Sequence, residues 1–326
     1  MFGEKIYKYL PTVVIIGVIG ILYSKYNDKV LRKKDEDDFK IIKQYLLNDT
    51  ILSDGKKPIL WIHIPYKMNS REWESFGSRN TYNLNQPYIQ LTLRSIIEKC
   101  KKSFNVCIID DESFEMLIED WSIDLTKLSD PILKKIRILG FLKILHKYGG
   151  MFLPPSFICF KNLKTLYDEN IKKNGLFVSE NISRNSTSEY VNFFPSLDII
   201  GCEKNNKILN DSINYIQSLI SRDFTDESTY DGNIERWFNK HYMNNDIDVI
   251  DGTKLGIKTV DEECIYIDHL IQTSSLNISK NSYGIMVPSE ELLKRTNFQW
   301  FLKLNHTEVL NSNTNIGKAL KNILID

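Results

Sequence analysis

The chain has 326 residues, 42% of them apolar and 26% charged, which suits one large domain or two small ones and argues against disordered and fibrous classes. With 42 basic and 42 acidic side chains the formal net charge is zero, and no basic cluster is interleaved with aromatics, so nucleic acid is set aside as a partner. The five cysteines (Cys100, Cys107, Cys159, Cys202 and Cys264) are odd in number and form no Cys-x-x-Cys pair; with Cys107, Cys159 and Cys202 inside apolar runs, they read as small buried thiols rather than disulfides or zinc ligands.

In chain order, the first element is an uncharged run over residues 9–24, "YLPTVVIIGVIGILYS", just short of the roughly 17–25 residues that span a bilayer. Tyr9 and Tyr23 stand where interfacial aromatics would, and Lys5, Lys8 and Lys25 can snorkel to the headgroups. No small-x-small cleavage site follows. Residues 1–26 are therefore expected to be an uncleaved, single-pass anchor whose partner is the lipid bilayer. Lys25, Lys29, Arg32, Lys33 and Lys34 after the run outnumber Lys5 and Lys8 before it, which favours a cytoplasmic body. The Asn-x-Ser/Thr sequons at Asn48, Asn181, Asn185, Asn210, Asn277 and Asn305 point weakly to a lumenal one, and the side stays open. Residues 27–56 read as a charged stalk running into "FKIIKQYLLNDTIL", whose apolar spacing predicts a short amphipathic helix.

Residues 57–326 contain no repeat and no linker, and one domain is expected. "PILWIHIPY" predicts a buried strand, "PYIQLTLRSIIEKC" a helix, and "FNVCIIDDESF" a second buried strand ending on Asp110 and Asp111. "DPILKKIRILGFLKILHKY" predicts a long helix capped by Asp130, with Pro131 in its first turn and Gly149 ending it. "GMFLPPSFICF" predicts a strand pair broken by prolines. Strands alternating with helices indicate an α/β fold with a mostly parallel sheet flanked by helices.

Ligands of such sheets bind beyond the carboxyl ends of the strands. That places Asp110, Asp111 and the turn at Pro154, Pro155 and Ser156 on the functional edge. Candidate catalytic groups are Asp110, Asp111, His63 in "WIHIPY" and Asp198 in "PSLDIIG". A capping or turn role for Asp110 and Asp111, and a hydrogen-bonded core position for His63, stand beside that reading. Arg137, Lys143, His146 and Lys147 on the long helix are candidate phosphate contacts or a solvated basic face, and Trp237 and Trp300 read as packing aromatics.

The succession of "PILWIHIP", "IIDDESF" and a helix entering "KYGGMFLPPSF" resembles the glycosyltransferases whose sugar-binding region carries an Asp-x-Asp motif, family 32 and the capsular-polysaccharide-synthesis proteins. The likeness covers residues 57–165, with "YGGMFL" its most specific piece, and "NFFPSLDIIGCEKNNKIL" is similar to that family's later strand and helix. "YGIMVPSEELLKRTNFQWFLKLNHTEVLNSN" resembles a segment of glycosyltransferase-like proteins of large DNA viruses, which implies a viral protein on a host endomembrane or in a virion. The resemblance implies the nucleotide-diphospho-sugar transferase fold, called GT-A. It also implies a donor-site loop at Gly149, Gly150, Leu153, Pro154, Pro155 and Ser156, and a nucleotide sugar or glycan as ligand.

The family pattern runs approximately Ala-Asp-x-x-Arg, seven residues, Gly-Gly, three apolar residues and Asp-x-Asp, the last pair holding Mn2+ or Mg2+ against the donor diphosphate. Counted from Gly149-Gly150, the two carboxylates fall on Pro154 and Ser156, the upstream Asp on Ile138 and the upstream Arg on Phe141. No metal cofactor is therefore expected. Two functions follow from the resemblance and its departures: a binding or scaffold protein with a degenerate site, a pseudoenzyme, or an active metal-independent glycosyltransferase that aims other cations and donors at the diphosphate.

Overall fold

The computed structural model describes residues 45–47, 57–64, 86–181, 194–222 and 227–325. The chain divides after Gln44, and every described residue belongs to the second unit, Tyr45–Asp326. The expected anchor at 9–24 and nearly all of the stalk lie outside the described residues; among the described residues no helix is long and apolar enough to cross a membrane.

The strands are β1 (Ile59–His63), β2 (Asn105–Ile109), β3 (Gly150–Phe152), β4 (Phe157–Cys159), β5 (Leu176–Asn181), β6 (Phe194–Cys202), β7 (Asp248–Ile250) and β8 (Gly284–Met286). The helices that follow are α1 (Tyr88–Cys100), α2 (Ser113–Leu117), α3 (Ile132–Tyr148), α4 (Lys164–Asn174), α5 (Lys207–Ile220) and α6 (Glu227–Met243), with shorter ones beyond. Six strands form one sheet in the order β2-β1-β3-β6-β5-β7. β6 runs antiparallel to both its neighbours, and the other pairings are parallel. The fold is α/β with a mostly parallel sheet, as the alternation of patterns predicts.

Strand alternation decides which side chains meet which helices. Ile59, Trp61, Cys107, Ile109, Phe152, Val178, Ile200 and Cys202 form one buried cluster with Phe114 of α2, Leu142 and Leu145 of α3, Ile213 of α5 and Phe238 of α6. On the other face, Phe177 meets the edge of Tyr167 on α4, ring centroids 5.9 Å apart. By the same parity His63, two residues after Trp61, turns toward α3. Asp111, two after Ile109, continues that row past the end of β2, since His63 pairs with Ile109 in the ladder.

Four details differ from the sequence expectations. Residues 45–47 lie extended along β2, not in a helix: Ile108 donates to Tyr45 O at 2.7 Å and Leu47 to Ile108 O at 3.1 Å. The free edge of β2 offers ladder partners that helical spacing does not anticipate. Asp130 does not cap α3, because the helix starts at Ile132 with Pro131 in the capping position and no side-chain cap bond; Asp130 is one residue too early to reach the exposed amides. The "GMF" and "FIC" strands enter different sheets, β3 beside β1 and β4 against β8. Prolines lack the amide that would continue the ladder, so it stops where Leu153 donates to Trp61 O at 3.0 Å. Trp300 is 46% exposed, not packed away, whereas Trp237 stacks on Tyr215 as expected.

The double glycine has a backbone purpose. Gly149, at φ +70°, ends α3 with its amide on Leu145 O at 2.7 Å. Gly150, at φ +103°, sits where an added Cβ would lie 2.2 Å from the Ile59 carbonyl oxygen, so β3 can approach β1 only with glycine there. Buried Trp61 closes the corner by donating its Nε1 proton to Gly149 O at 2.9 Å.

Candidate functional site

At the carboxyl edge of β1 and β2, three polar side chains converge, from the end of β1, the turn after β2 and α3. Asp111 accepts from His63 Nε2 at 3.0 Å, from Arg137 Nε at 2.8 Å and from Arg137 Nη2 at 2.5 Å. Burial alone would raise the Asp111 carboxyl, but the hydrogen bonds and charges of His63 and Arg137 outweigh it and hold the group well below the usual carboxylate range. Burial holds His63 neutral below its ordinary value against the pull of Asp111. With a carboxylate as partner, Nε2 is the protonated nitrogen. His63 also packs against Phe141 and Phe114, with ring centroids at 5.0 and 5.7 Å. The trio is locked by both polar and aromatic contacts.

Asp110, the neighbouring carboxylate, takes the capping role. Its Oδ1 accepts from the Ser113 amide at 3.0 Å and hydroxyl at 2.7 Å, fixing the turn into α2. Asp198 lies exposed on β6 in the electrostatic neighbourhood of Asp231 and Glu235 of α6. Of the candidate phosphate contacts, only Arg137 belongs to the trio. Lys147 pairs with Glu119 at 2.7 Å, Lys143 lies over the Trp121 ring at 6.0 Å, and the His146 carbonyl accepts from Asn205 at 2.8 Å.

The loop after β3 carries the positions where the resemblance implies a metal-holding pair. Leu153 is buried. The Pro154 carbonyl accepts the Phe157 amide at 3.1 Å, and the Pro155 carbonyl accepts the Thr92 hydroxyl at 2.6 Å. Ser156 is buried and donates to the Val287 carbonyl at 2.7 Å, tying the loop to the end of β8. The upstream positions are equally committed. Phe141 stacks among Phe152 (4.7 Å), His63 (5.0 Å) and Phe114 (5.6 Å), and Ile138 packs on the core cluster. Mn2+ and Mg2+ take carboxylate, carbonyl and water oxygens. These residues do not fit such an ion: three of the four side chains, those of Pro154, Ile138 and Phe141, have no polar atom to offer, and the fourth is a neutral serine hydroxyl tied to Val287 O. Among the described residues no three His, Cys, Asp or Glu side chains form a group that could hold a metal ion.

Thr92 was not among the sequence candidates, although it holds the Pro155 turn in place. A hydroxyl on the buried face of α1, as at Ser95, was its one visible signal. Glu235 was missed for a related reason. Burial pushes its carboxyl up to about 7, with Asp231 one turn earlier and Asp198 of β6 adding to the rise, and helical spacing does not reveal the approach of Asp198.

The fold and edge geometry define an α/β protein with a polar trio beyond the ends of β1 and β2. Part of the chain is similar to a solved structure described as PaToxG glycosyltransferase, at 13% identity over 66% of this chain and 80% of that one, with a TM-score of 0.32. Another is 4-diphosphocytidyl-2C-methyl-D-erythritol synthase from Anaerococcus prevotii, at 12% identity over 63% of this chain and 90% of that one, with a TM-score of 0.31. No family model matches the chain, and no curated protein matches it.

Proposed function

We propose that the chain is a GT-A-type scaffold of family-32 kind, held at a membrane through residues 9–24, that binds a nucleotide sugar or glycan without metal-dependent transfer. Support for the ancestry comes from the "YGGMFL" corner and its setting: one antiparallel strand, β6, sits within an otherwise parallel sheet, and β3 ends at the Pro154-Pro155 turn. The observation that carries the loss of metal chemistry is the Ser156 hydroxyl. It is buried and donates to Val287 O, where the family pattern calls for a carboxylate. The Asp111 carboxylate, two residues past the end of β2, is already engaged by Arg137 and His63.

Thermal unfolding of the full chain in detergent, with nucleoside diphosphates and nucleotide sugars, in Mn2+ or in EDTA, tests the reading. The expected result is a ligand shift that is the same in both. Stabilisation that requires Mn2+ would sink the metal-free reading, and no shift with any nucleotide or sugar nucleotide would sink the donor-binding one. Attachment to the bilayer predicts that the chain stays with membranes through alkaline extraction and that deleting residues 1–26 releases it.

A further inference from the structure

Cys100 closes α1 and Cys159 closes β4, and neither has a part in the site above. Both are free thiols, and both side chains are fully buried. The Cys100 thiol interacts with the Cys159 side chain and with the Leu163 amide. The Cys159 sulfur lies 3.2 Å from the Lys161 carbonyl. The two segments are tied along their length: Thr92 donates to Pro155 O at 2.6 Å, the Cys159 amide to Ser95 Oγ at 3.0 Å, and Ser103 Oγ to Asn162 Oδ1 at 2.8 Å. These bonds on either side of the pair hold the two segments that carry the thiols against each other.

We propose that Cys100 and Cys159 are a dithiol–disulfide pair, closed when the chain folds in an oxidising compartment. The Cys100 thiolate attacks a glutathione-type disulfide, forming a mixed disulfide and expelling one thiolate, which takes up the Cys100 proton. Cys159 then loses its proton and its sulfur attacks Cys100 Sγ, forming the internal bond and expelling the second thiol. The protein gives up two hydrogens, and one external disulfide becomes two thiols. Burial of both sulfurs places closure during folding, before α1 and β4 seal against each other. The bond staples α1 to the strand that follows the Pro154-Pro155 turn. Its state also reports the side of the membrane, a question the flanking charges leave open, because cytosolic thiols are kept reduced and lumenal ones are not.

The full chain is synthesised cell-free in detergent micelles, once with glutathione disulfide and a disulfide isomerase and once with dithiothreitol. Free thiols are then alkylated, and the protein is digested without reduction. The expected result is a Cys100–Cys159 linked peptide in the oxidised preparation alone, with alkylatable thiols falling from five to 5 − 2 = 3. The closed form should melt higher by on the order of 5 °C. Five alkylatable thiols in the oxidised preparation, or a bond from either residue to Cys107, Cys202 or Cys264, overturns the proposal. Cys100→Ser and Cys159→Ser each remove the linked peptide; since a serine at a buried site can unfold the chain, the wild-type peptide map decides by itself.

Discussion

Asp111→Asn probes the trio at the sheet edge most sharply. The carboxylate accepts three bonds at 2.5, 2.8 and 3.0 Å; the amide keeps one acceptor and turns two donor hydrogens toward the Arg137 and His63 donors. Removing one partner of a fully buried ion pair costs about 3–5 kcal/mol, and an exposed pair contributes below about 1 kcal/mol. With Arg137 13% and Asp111 24% exposed, this pair stands between those limits, and the loss expected is about 2–3 kcal/mol. For a domain of this size that lowers Tm by roughly 4–10 °C. The assay is denaturant and thermal unfolding of the full chain at pH 7, repeated in acid. Because the folded carboxyl is held below its ordinary 3.8, its contribution is present above that pH and is lost as pH falls below it, so variant and wild type converge in acid. In the Asp111→Asn background, Arg137→Met should cost less than it does alone by at least about 1 kcal/mol. A loss under about 0.5 kcal/mol at pH 7, or strict additivity with Arg137→Met, refutes the coupling.

Gly150→Ala forces a Cβ to 2.2 Å from Ile59 O at φ +103°, so β3 must part from β1; a loss of at least about 3 kcal/mol is expected, and a melting curve that overlays the wild type would contradict the close approach. Glu235→Gln tests a half-buried carboxyl pushed up to about 7. Its folded pKa lies above the unfolded 4.5, so its favourable contribution is present below that pH and is lost as pH rises to about 7. The substitution therefore raises stability at pH 8 and leaves it nearly unchanged at pH 4.5, and an equal effect at both pH values would contradict the burial. Ser156→Ala leaves the buried Val287 carbonyl without its donor and is expected to cost about 1–2 kcal/mol, read by urea unfolding. No loss there would mean that the hydroxyl is not committed to the loop.

The sheet was legible because its central strands are short continuous apolar runs, buried on both faces, and β1, β2, α1 and α3 lie where their patterns put them. Parity along β1 and β2 also places His63 and Asp111 on one face. The helical period alone does not show that Arg137 reaches Asp111, since that depends on where α3 crosses the sheet edge. Asp110 and Asp111 are adjacent and chemically alike, yet one fixes a turn and the other holds an ion pair. Backbone direction at the end of β2 separates them, and no spacing rule contains that information. The commitments of Thr92 and Ser156 were hidden for the same reason, because their partners are distant in sequence and meet only through packing.

The central claim is that the loop after β3 holds no catalytic cation. The free-Mn2+ electron paramagnetic resonance signal, followed while the full chain is titrated in the presence of a nucleoside diphosphate, tests it most directly. The account predicts the same free Mn2+ with the protein as with the nucleotide alone. Loss of the signal in proportion to added protein, reversed by Asp111→Asn or by changes at Pro154 to Ser156, would contradict it.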